Sequence, residues 1–265
     1  MKRILTIAGS DCSGGAGIQA DLKTIAAHGL YGMSVITALT AQNTVAVSAI
    51  HPIDNDFVKQ QIDSVCTDIF PDSVKIGMLF SEDIICAVAQ KITEYQMSSI
   101  VLDPVMVSSS GKRLLGEDAV QALKKYLIPM VQWITPNLLE TEVLCGFPVH
   151  NQKQMEQAAQ QIAQWYPGVI LIKGGHLKDT ADDLLYFNGK GHWIAGERID
   201  NSNTHGTGCT LSTAIACALA QGLKPQQALI QAKQYLMNAL RAQLNLGAGA
   251  GPINHMYRLS DIIAR

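Results

Sequence analysis

Asn-Thr-His-Gly-Thr-Gly-Cys-Thr, at positions 203–210, leads directly into an apolar run at positions 211–219. The two glycines, Gly206 and Gly208, allow a tight turn in which successive backbone N–H groups point into one cavity. A helix beginning there adds unpaired N–H groups and the positive end of its dipole. The stretch therefore predicts an anion-binding site, and Cys209 at its rim is expected to ionise more readily than a free thiol. An anion site with a potential base beside it is typical of phosphoryl transfer.

Length and composition bound the class of protein. The 265 residues are 48% hydrophobic and 16% charged, which suffices for one large α/β domain or two small ones. Lysine and arginine total 20 against 22 acidic residues, a net charge of −2. This balance argues against a broad nucleic-acid surface, so an anionic substrate has to be held by local groups.

Cysteine usage and the first residues bear on the compartment. The six cysteines form no C-x-x-C pair and the histidines are scattered, so a zinc site is not expected. The opening Met-Lys-Arg precedes only a short apolar run that meets Gly9, which predicts a strand and not a signal peptide. No run of about 18 apolar residues occurs, so we expect no membrane partner and a reduced, cytoplasmic location.

Apolar runs alternate with amphipathic segments along the chain. Strands are predicted at residues 4–8, 34–39, 45–50, 74–76, 100–103, 131–134 and 169–173, and helices at 56–69, 84–92, 119–127, 138–145, 155–165, 209–220 and 228–244. A hairpin is predicted between residues 183–187 and 193–194. Residues 1–265 are therefore expected to form one three-layer α/β/α domain with a mainly parallel central sheet. The closely spaced segments 34–39 and 45–50 are expected to form a small flap.

A glycine-rich loop at residues 9–17 follows the first predicted strand. It is not a nucleotide P-loop, because Gly14 is followed by Gly15 where that motif requires lysine. Residues 15–20 match the dinucleotide pattern loosely, but no acidic residue occurs at positions 35–40 to bind a ribose. The density of glycines favours close approach of the backbone to a ligand over a merely tight turn.

Polar residues near this loop have two interpretations each. The carboxamide of Gln42 suits the edge of a heterocycle, because it donates and accepts hydrogen bonds at once. Its neighbour Asn43 could instead be only a turn former. A helix with Ile18, Leu22 and Ile25 on one face is predicted after this loop. Asp21, one turn into that helix, is expected from the sequence alone to be a solvated residue of the polar face.

Further strand ends carry oxygen ligands and a lysine, and in a parallel sheet these ends meet at one edge. Asp103, before a proline, could hold Mg²⁺ through water or could belong to a turn. Asn137 and Glu140, three residues apart at a helix start, fit a hydrated Mg²⁺ site and a capping box equally well. Lys173 needs a partner if buried, for which a phosphate is favoured over solvent.

Four segments together resemble the ribokinase-like superfamily, and more narrowly the bacterial hydroxymethylpyrimidine/phosphomethylpyrimidine kinases of thiamine biosynthesis. The segments are residues 9–24, 137–140, 173–176 and 203–210. The resemblance runs nearly end to end and implies a central sheet flanked by helices, with ATP and Mg²⁺ as phosphoryl donor. It implies phosphorylation of 4-amino-5-hydroxymethyl-2-methylpyrimidine and then of its monophosphate.

The resemblance also implies the residues of two subsites. Gln42 and Asp21 would bind the amino group and ring nitrogens of the pyrimidine, and Met78 would pack on its ring. The substrate subsite would be made of Gly9, Asp21, Gln42, Met78 and Val105. The phosphate subsite would comprise the anion hole at Gly206, Thr207 and Gly208, nucleotide-binding Lys173, Asn137 and Thr207, and Mg²⁺ held through water by Asp103, Asn137 and Glu140.

Cys209 would take the place of the catalytic base. Sugar kinases resembling this superfamily have an aspartate there, which would repel the ionised phosphate acceptor of the second step, whereas a neutral thiol would not. Pyridoxal kinases of the superfamily need not keep a glutamine at position 42, so pyridoxal phosphorylation is the alternative. A non-catalytic pyrimidine sensor is an alternative of another class.

Three smaller expectations complete the prediction. Cys12 departs from the serine or proline that the resemblance implies, and only loop detail depends on it. The segment 34–50 could pair edges across a two-fold axis and form a homodimer. The loop 107–113 could close over substrate.

Overall fold

One nine-stranded sheet contains every named strand of the computed structural model, which describes residues 1–106, 115–175, 177 and 179–258. The strands are β1 (Arg3–Asp11), β2 (Tyr31–Gln42), β3 (Val47–Pro52), β4 (Ser73–Ile76), β5 (Ile100–Leu102), β6 (Trp133–Ile134), β7 (Val169–Ile172), β8 (Asp183–Phe187) and β9 (Lys190–Ile194). Their order is β3-β2-β1-β4-β5-β6-β7-β8-β9. The six strands from β2 to β7 in this order are parallel, and β3, β8 and β9 are antiparallel additions at the two edges.

Helices connect the parallel strands and cover both faces of the sheet. Among the described residues they are α1 (Gly17–Ala27), α2 (Asn55–Cys66), α3 (Glu82–Glu94), α4 (Glu117–Ala122), α5 (Leu138–Cys145), α6 (Gln152–Ile162), α7 (Thr207–Ala220) and α8 (Pro225–Arg241). α4 continues as one π-helical turn, Leu123–Leu127. None of these helices is long and apolar enough to cross a membrane.

Alternation along the strands separates two apolar layers. Leu5 and Ile7 of β1 face a layer formed with α2 to α6, whereas Ile4 faces a layer formed with α1, α7 and α8. Trp133 and Tyr235, both nearly inaccessible to solvent, anchor the second layer. Each layer buries apolar side chains from the sheet and from its own helices, so the sheet is the middle of a three-layer sandwich.

The predicted three-layer α/β/α fold is confirmed. The predicted flap is the β2–β3 hairpin, and it continues the main sheet: β2 pairs in parallel with β1 while β3 forms the exposed edge. Because the sheet is parallel, the carboxyl ends of β1, β2, β4, β5, β6 and β7 lie along one edge, where α7 begins. The loop 107–113 and His176 lie outside the described residues.

Candidate active site

The first turn of α7 forms a concave row of backbone amides. Gly206 precedes the helix with φ +83°, in the left-handed region that favours glycine. A Cβ there would collide with the carbonyl oxygen of Gly15, so the turn packs directly on the glycine-rich loop. Thr207 N–H donates to the carbonyl of Thr204 at 3.3 Å, while the N–H groups of Gly208 and Cys209 have no acceptor among the described residues. Two free amides at a helix start are suited to an anion.

A lysine–carboxylate pair lies against this turn. Nζ of Lys173 is 2.7 Å from Oδ1 of Asp103, which also accepts a hydrogen bond from Oγ1 of Thr135 at 3.1 Å. A Cβ placed on Gly208 would lie 3.3 Å from that Nζ and 3.4 Å from Oδ2 of Asp103. Burial lowers the pKa of Lys173, but Asp103 and Glu140 outweigh it and raise the pKa above its usual value. The lysine is therefore a fixed positive charge beside the amides.

Asn137 and Glu140 form a capping box at the start of α5. Oδ1 of Asn137 accepts from the N–H of Glu140 at 2.9 Å, and Oε2 of Glu140 accepts from the N–H of Asn137 at 2.8 Å. Within the part of the chain that the structure describes, Oε1 of Glu140 has one long contact, 3.4 Å from the N–H of Met106. Burial and the nearby charge of Asp103 raise the pKa of Glu140 to about 7 against the opposing effect of Lys173. The structure thus contains the capping box, and the second carboxylate oxygen of Glu140 accepts only a long hydrogen bond from the described residues.

The thiol of Cys209 does not behave as the sequence suggested. It is half-buried at the start of α7, and burial raises its pKa to about 11. Lys75 and a hydrogen bond from the backbone N–H of Gly17 lower the pKa, but they do not offset burial. The expectation of easier ionisation was wrong, because the helix dipole competes here with removal of the sulfur from water. At neutral pH this side chain is a neutral thiol.

Asp21 is also placed differently from the expectation of a solvated side chain. It is completely buried and forms an ion pair with Lys75, whose Nζ is 2.8 Å from Oδ2. Oγ1 of Thr6 donates to Oδ2 at 2.6 Å and Oγ1 of Thr213 donates to Oδ1 at 2.7 Å. With two donors on each oxygen, the carboxylate is engaged within the protein. Its part is to hold Lys75, so direct contact with a pyrimidine does not fit this geometry.

Lys75 is a functional candidate that sequence reasoning missed. The signal was a lysine within the apolar strand β4, between Val74 and Ile76. Lys75 pairs in register with Thr6 of β1, so both side chains project from the same face of the sheet toward Asp21. The positive charge of Lys75 interacts electrostatically with the thiol of Cys209 and lowers its pKa, so the buried Lys75–Asp21 pair acts on the rim of the anion site.

The predicted substrate residues line the neighbouring strand ends. A Cβ on Gly9 would lie 2.5 Å from the methyl carbon of Met78, so the thioether packs directly on the glycine. Met78 and Val105 are partly exposed after β4 and β5. Gln42, at the end of β2, has its carboxamide 3.1 Å from Nε2 of His205. The structure thus brings four of the five predicted substrate residues to the open edge.

His205 and Asp11 are two more residues that the sequence did not single out. Both are buried, and Nε2 of His205 lies 2.8 Å from Oδ2 of Asp11. Asp11 also accepts from the N–H groups of Ser13, Gly15 and Ala16, so it fixes the glycine-rich loop. The signal was an acid within the loop and a histidine immediately before Gly206.

Known sequences are similar over nearly the whole chain. The sequence model of the family described as phosphomethylpyrimidine kinase matches residues 11–254. A bifunctional thiamine biosynthesis protein of Geobacter sulfurreducens is 46% identical over 98% of this chain, which spans 53% of that protein. The hydroxymethylpyrimidine/phosphomethylpyrimidine kinase of Escherichia coli is 45% identical over 97% of this chain and 99% of its own length.

Solved structures share the fold. A phosphomethylpyrimidine kinase from Clostridium difficile superposes with a TM-score of 0.82 at 44% identity, covering 90% of this chain and 99% of that one. A pyridoxal kinase from Staphylococcus aureus, in complex with AMP-PCP and pyridoxal, superposes with a TM-score of 0.88 at 33% identity, covering 96% and 94%.

The nine-stranded sheet, the free amides at the start of α7 and the adjoining lysine–carboxylate pair define a kinase of the ribokinase-like fold. The loops at residues 9–17 and 203–210 are in direct contact, because Gly206 packs on the carbonyl oxygen of Gly15. The chain belongs to the hydroxymethylpyrimidine/phosphomethylpyrimidine kinase family.

Proposed function

We propose that this protein uses ATP to phosphorylate 4-amino-5-hydroxymethyl-2-methylpyrimidine and then phosphorylates the monophosphate to the diphosphate, in thiamine biosynthesis. The observation that carries the proposal is the position of the free amides of Gly208 and Cys209, next to the Lys173–Asp103 pair and directly after the turn at Gly206 that packs on the glycine-rich loop. Negative charge builds up on the transferred group, and preorganised amides and a lysine stabilise that charge. The identity of the acceptor is inferred from the names of the relatives in E. coli and C. difficile.

The nucleotide donor is assigned to residues that can bind negatively charged phosphates. Lys173 contacts the nucleotide phosphates, and its contact with Asp103 keeps the ammonium in place before the nucleotide binds. Thr207 and the amides of Gly208 and Cys209 hold the group in transfer. The Staphylococcus aureus relative with AMP-PCP supports a nucleotide donor in this fold.

The residues present also fit Mg²⁺. Asp103 and Glu140 are buried carboxylates beside the charge of Lys173, and burial together with Asp103 raises the pKa of Glu140 to about 7, so a bound cation would favour its ionised form. The hydrogen bond to Oε1 of Glu140 is long, 3.4 Å from the N–H of Met106, so this oxygen can also accept from a water ligand of the metal. The side-chain oxygen of Asn137 accepts the capping hydrogen bond from the N–H of Glu140, and so Asn137 orients Glu140. Bound through water with the phosphates, Mg²⁺ would neutralise their oxygens.

The neutral thiol of Cys209 accommodates both acceptors. A hydroxyl acceptor has to lose its proton, and the thiolate of Cys209, a minor form at neutral pH that the Lys75 charge favours, can accept that proton and become the neutral thiol. A phosphate acceptor is already ionised and needs only the absence of a fixed negative charge. The Cys209→Ala variant is therefore expected to slow the first phosphorylation more than the second; equal losses in both steps would contradict this role.

The decisive test is coupled ATP turnover with three acceptors side by side: the pyrimidine, its monophosphate and pyridoxal. Both pyrimidines should exceed pyridoxal in kcat/KM. Pyridoxal far ahead would establish the alternative activity, which the Staphylococcus aureus complex with pyridoxal keeps open, and no turnover with any acceptor would indicate a sensor. Lys173→Met should abolish turnover. Lys233→Met is the matched control, because Lys233 forms an equally short 2.7 Å pair with Asp183 on α8 and β8.

The exposed edge of β3 supports a homodimer. Leu39, Val45 and Phe57 are large exposed apolar side chains near this edge, and Leu39, Ala49 and Ile50 line an apolar groove of about 500 Å³. A second copy of the chain pairing along β3 would cover them. Sedimentation velocity should show a dimer, and Ala49→Pro, on the edge strand, should yield a monomer.

A further inference from the structure

The side chains of Asp11 and Gln42, at the ends of β1 and β2, both meet one ring nitrogen of His205. Nε2 of His205 lies 2.8 Å from Oδ2 of Asp11 and 3.1 Å from the carboxamide of Gln42. His205 and Asp11 are buried, whereas Gln42 is partly exposed at the open edge of the sheet. An imidazole nitrogen carries at most one proton, so it can serve its two neighbours only if their hydrogen-bonding roles agree.

Asp11 determines the role of this nitrogen. Burial would raise the pKa of Asp11, but hydrogen bonds from His205, Ser13 and Ala16 outweigh it and lower the pKa to about 2. At neutral pH the carboxylate only accepts hydrogen bonds, so Nε2 of His205 must carry the proton and donate it. The group of Gln42 that faces Nε2 must then be an acceptor as well.

Thr40 leads to the same orientation from the opposite side. The other end of the Gln42 carboxamide lies 3.3 Å from Oγ1 of Thr40. Thr40 has one hydroxyl proton, and the carbonyl of Ser10 accepts it at 3.0 Å. Oγ1 of Thr40 therefore offers a lone pair to Gln42. A half-turn of the carboxamide exchanges its nitrogen and oxygen, and only with oxygen toward His205 and nitrogen toward Thr40 are both neighbours satisfied.

The main chain around Gln42 is held as well. Its N–H donates to Sγ of Cys12 at 3.3 Å, and the thiol of Cys12 donates to its carbonyl at 3.1 Å. His205 is fixed by its own N–H, which donates to the carbonyl of Gly251 at 3.1 Å. One N–H of the Gln42 carboxamide goes to Thr40, and the second remains for a ligand.

We propose that Asp11 and His205 are positioning residues that orient the Gln42 carboxamide, so that its NH₂ group is presented to a ring nitrogen of the acceptor heterocycle. This rests on the proposed function. The same histidine directly precedes Gly206, so the residue that orients the recognition of the heterocycle also begins the anion-binding turn. A carboxamide free to turn would present either end and bind the heterocycle less well.

Calorimetric binding of 4-amino-5-hydroxymethyl-2-methylpyrimidine to the intact protein tests the proposal as a double-mutant cycle. His205→Leu should weaken binding about five- to tenfold, the size of one hydrogen bond lost. Gln42→Met should weaken it at least as much, and the double variant no more than Gln42→Met alone. Additive losses would overturn the proposal. His205→Gln, whose terminal amide can donate to Asp11 and Gln42 at once, should restore most of the affinity.

A second measurement does not depend on the ligand. The ¹⁵N signal of Nε2 of His205 should show a protonated nitrogen at neutral pH, and an unprotonated Nε2 would overturn the proposal. If the wild-type protein binds no pyrimidine, the proposed function fails while this signal still reports on the orientation. His255→Gln, a change to another buried histidine beside α7, should leave pyrimidine affinity unchanged.

Discussion

Nζ of Lys75 lies 2.8 Å from Oδ2 of Asp21, and neither side chain is exposed to solvent. The pair joins β4 to α1, while Thr6 and Thr213 attach it to β1 and α7. Four elements therefore meet at one buried ion pair directly beneath the anion-binding turn. Taking two charges out of water is unfavourable, so the pair is better explained by the position and charge it gives the site than by stability.

Breaking this pair should destabilise the fold strongly. Lys75→Met leaves the Asp21 carboxylate buried without a counter-charge, and the free energy of unfolding should fall by about 3–5 kcal/mol. The double variant Lys75→Met with Asp21→Asn should recover part of this loss, because the uncompensated charge is gone. Denaturant titrations of the wild type, Lys75→Met and the double variant measure both effects. A double variant no more stable than Lys75→Met would contradict the explanation.

Cys209 should react slowly with alkylating agents. Burial raises its pKa to about 11 against an ordinary value of 9.0, so its thiolate fraction near neutral pH is about a hundredfold smaller than that of an unperturbed thiol. Its reaction with iodoacetamide should rise steadily from pH 7 to pH 10 and be slower still in Lys75→Met, which removes the charge that lowers the pKa. Peptide mass mapping separates it from exposed Cys12. Equal rates for Cys12 and Cys209 at pH 7 would contradict the raised pKa.

The packing of two loops at Gly206 gives a prediction with a matched control. Gly206 and Gly222 have nearly equal φ angles of +83° and +84°, but a Cβ collides with the carbonyl of Gly15 only at Gly206 and meets open space at Gly222. Gly222→Ala should cost about 1 kcal/mol of unfolding free energy from backbone strain. Gly206→Ala should cost more and abolish turnover, because the anion-binding turn has to move. Similar stability of the two variants would mean that the loops do not pack as described.

Much of the fold follows from the sequence because strands β1, β4, β5 and β7 are short apolar runs and the Asn188-Gly189 turn marks a hairpin. The edge strand was predictable only as a flap, since its pairing with the rest of the sheet is a long-range property. At the site, the glycines of residues 203–210 and the spacing of Asn137 and Glu140 identified the anion turn and the cap. Of the two interpretations of Asn137 and Glu140, the capping box is observed in the structure.

Burial and long-range pairing explain what the sequence could not show. Asp21 looked like a surface acid because its partner Lys75 is 54 residues away. His205 and Asp11 are 194 residues apart, and nothing local relates them. The pKa of Cys209 was predicted with the wrong sign because a helix start is visible in sequence, whereas the degree of burial at that start is not.

Acid should destabilise the protein partly through His255. Burial lowers the pKa of His255 from 6.5 to about 4, with a smaller contribution from the charge of Lys23. Oγ1 of Thr210 donates to the carbonyl of Gly206, so it accepts the proton of Nε2 of His255 at 2.9 Å, and the ring is neutral in the folded state.

Below pH 6.5 the unfolded chain binds a proton at His255 that the folded protein does not bind until about pH 4. The free energy of unfolding should therefore fall as pH decreases through this window, by about 2–3 kcal/mol from this group. His255→Gln, which can still donate to Thr210, should lose less stability over the same window. Denaturant unfolding of both proteins at pH 7, 5.5 and 4.5 measures the difference, and parallel curves would show that His255 is protonated equally in both states.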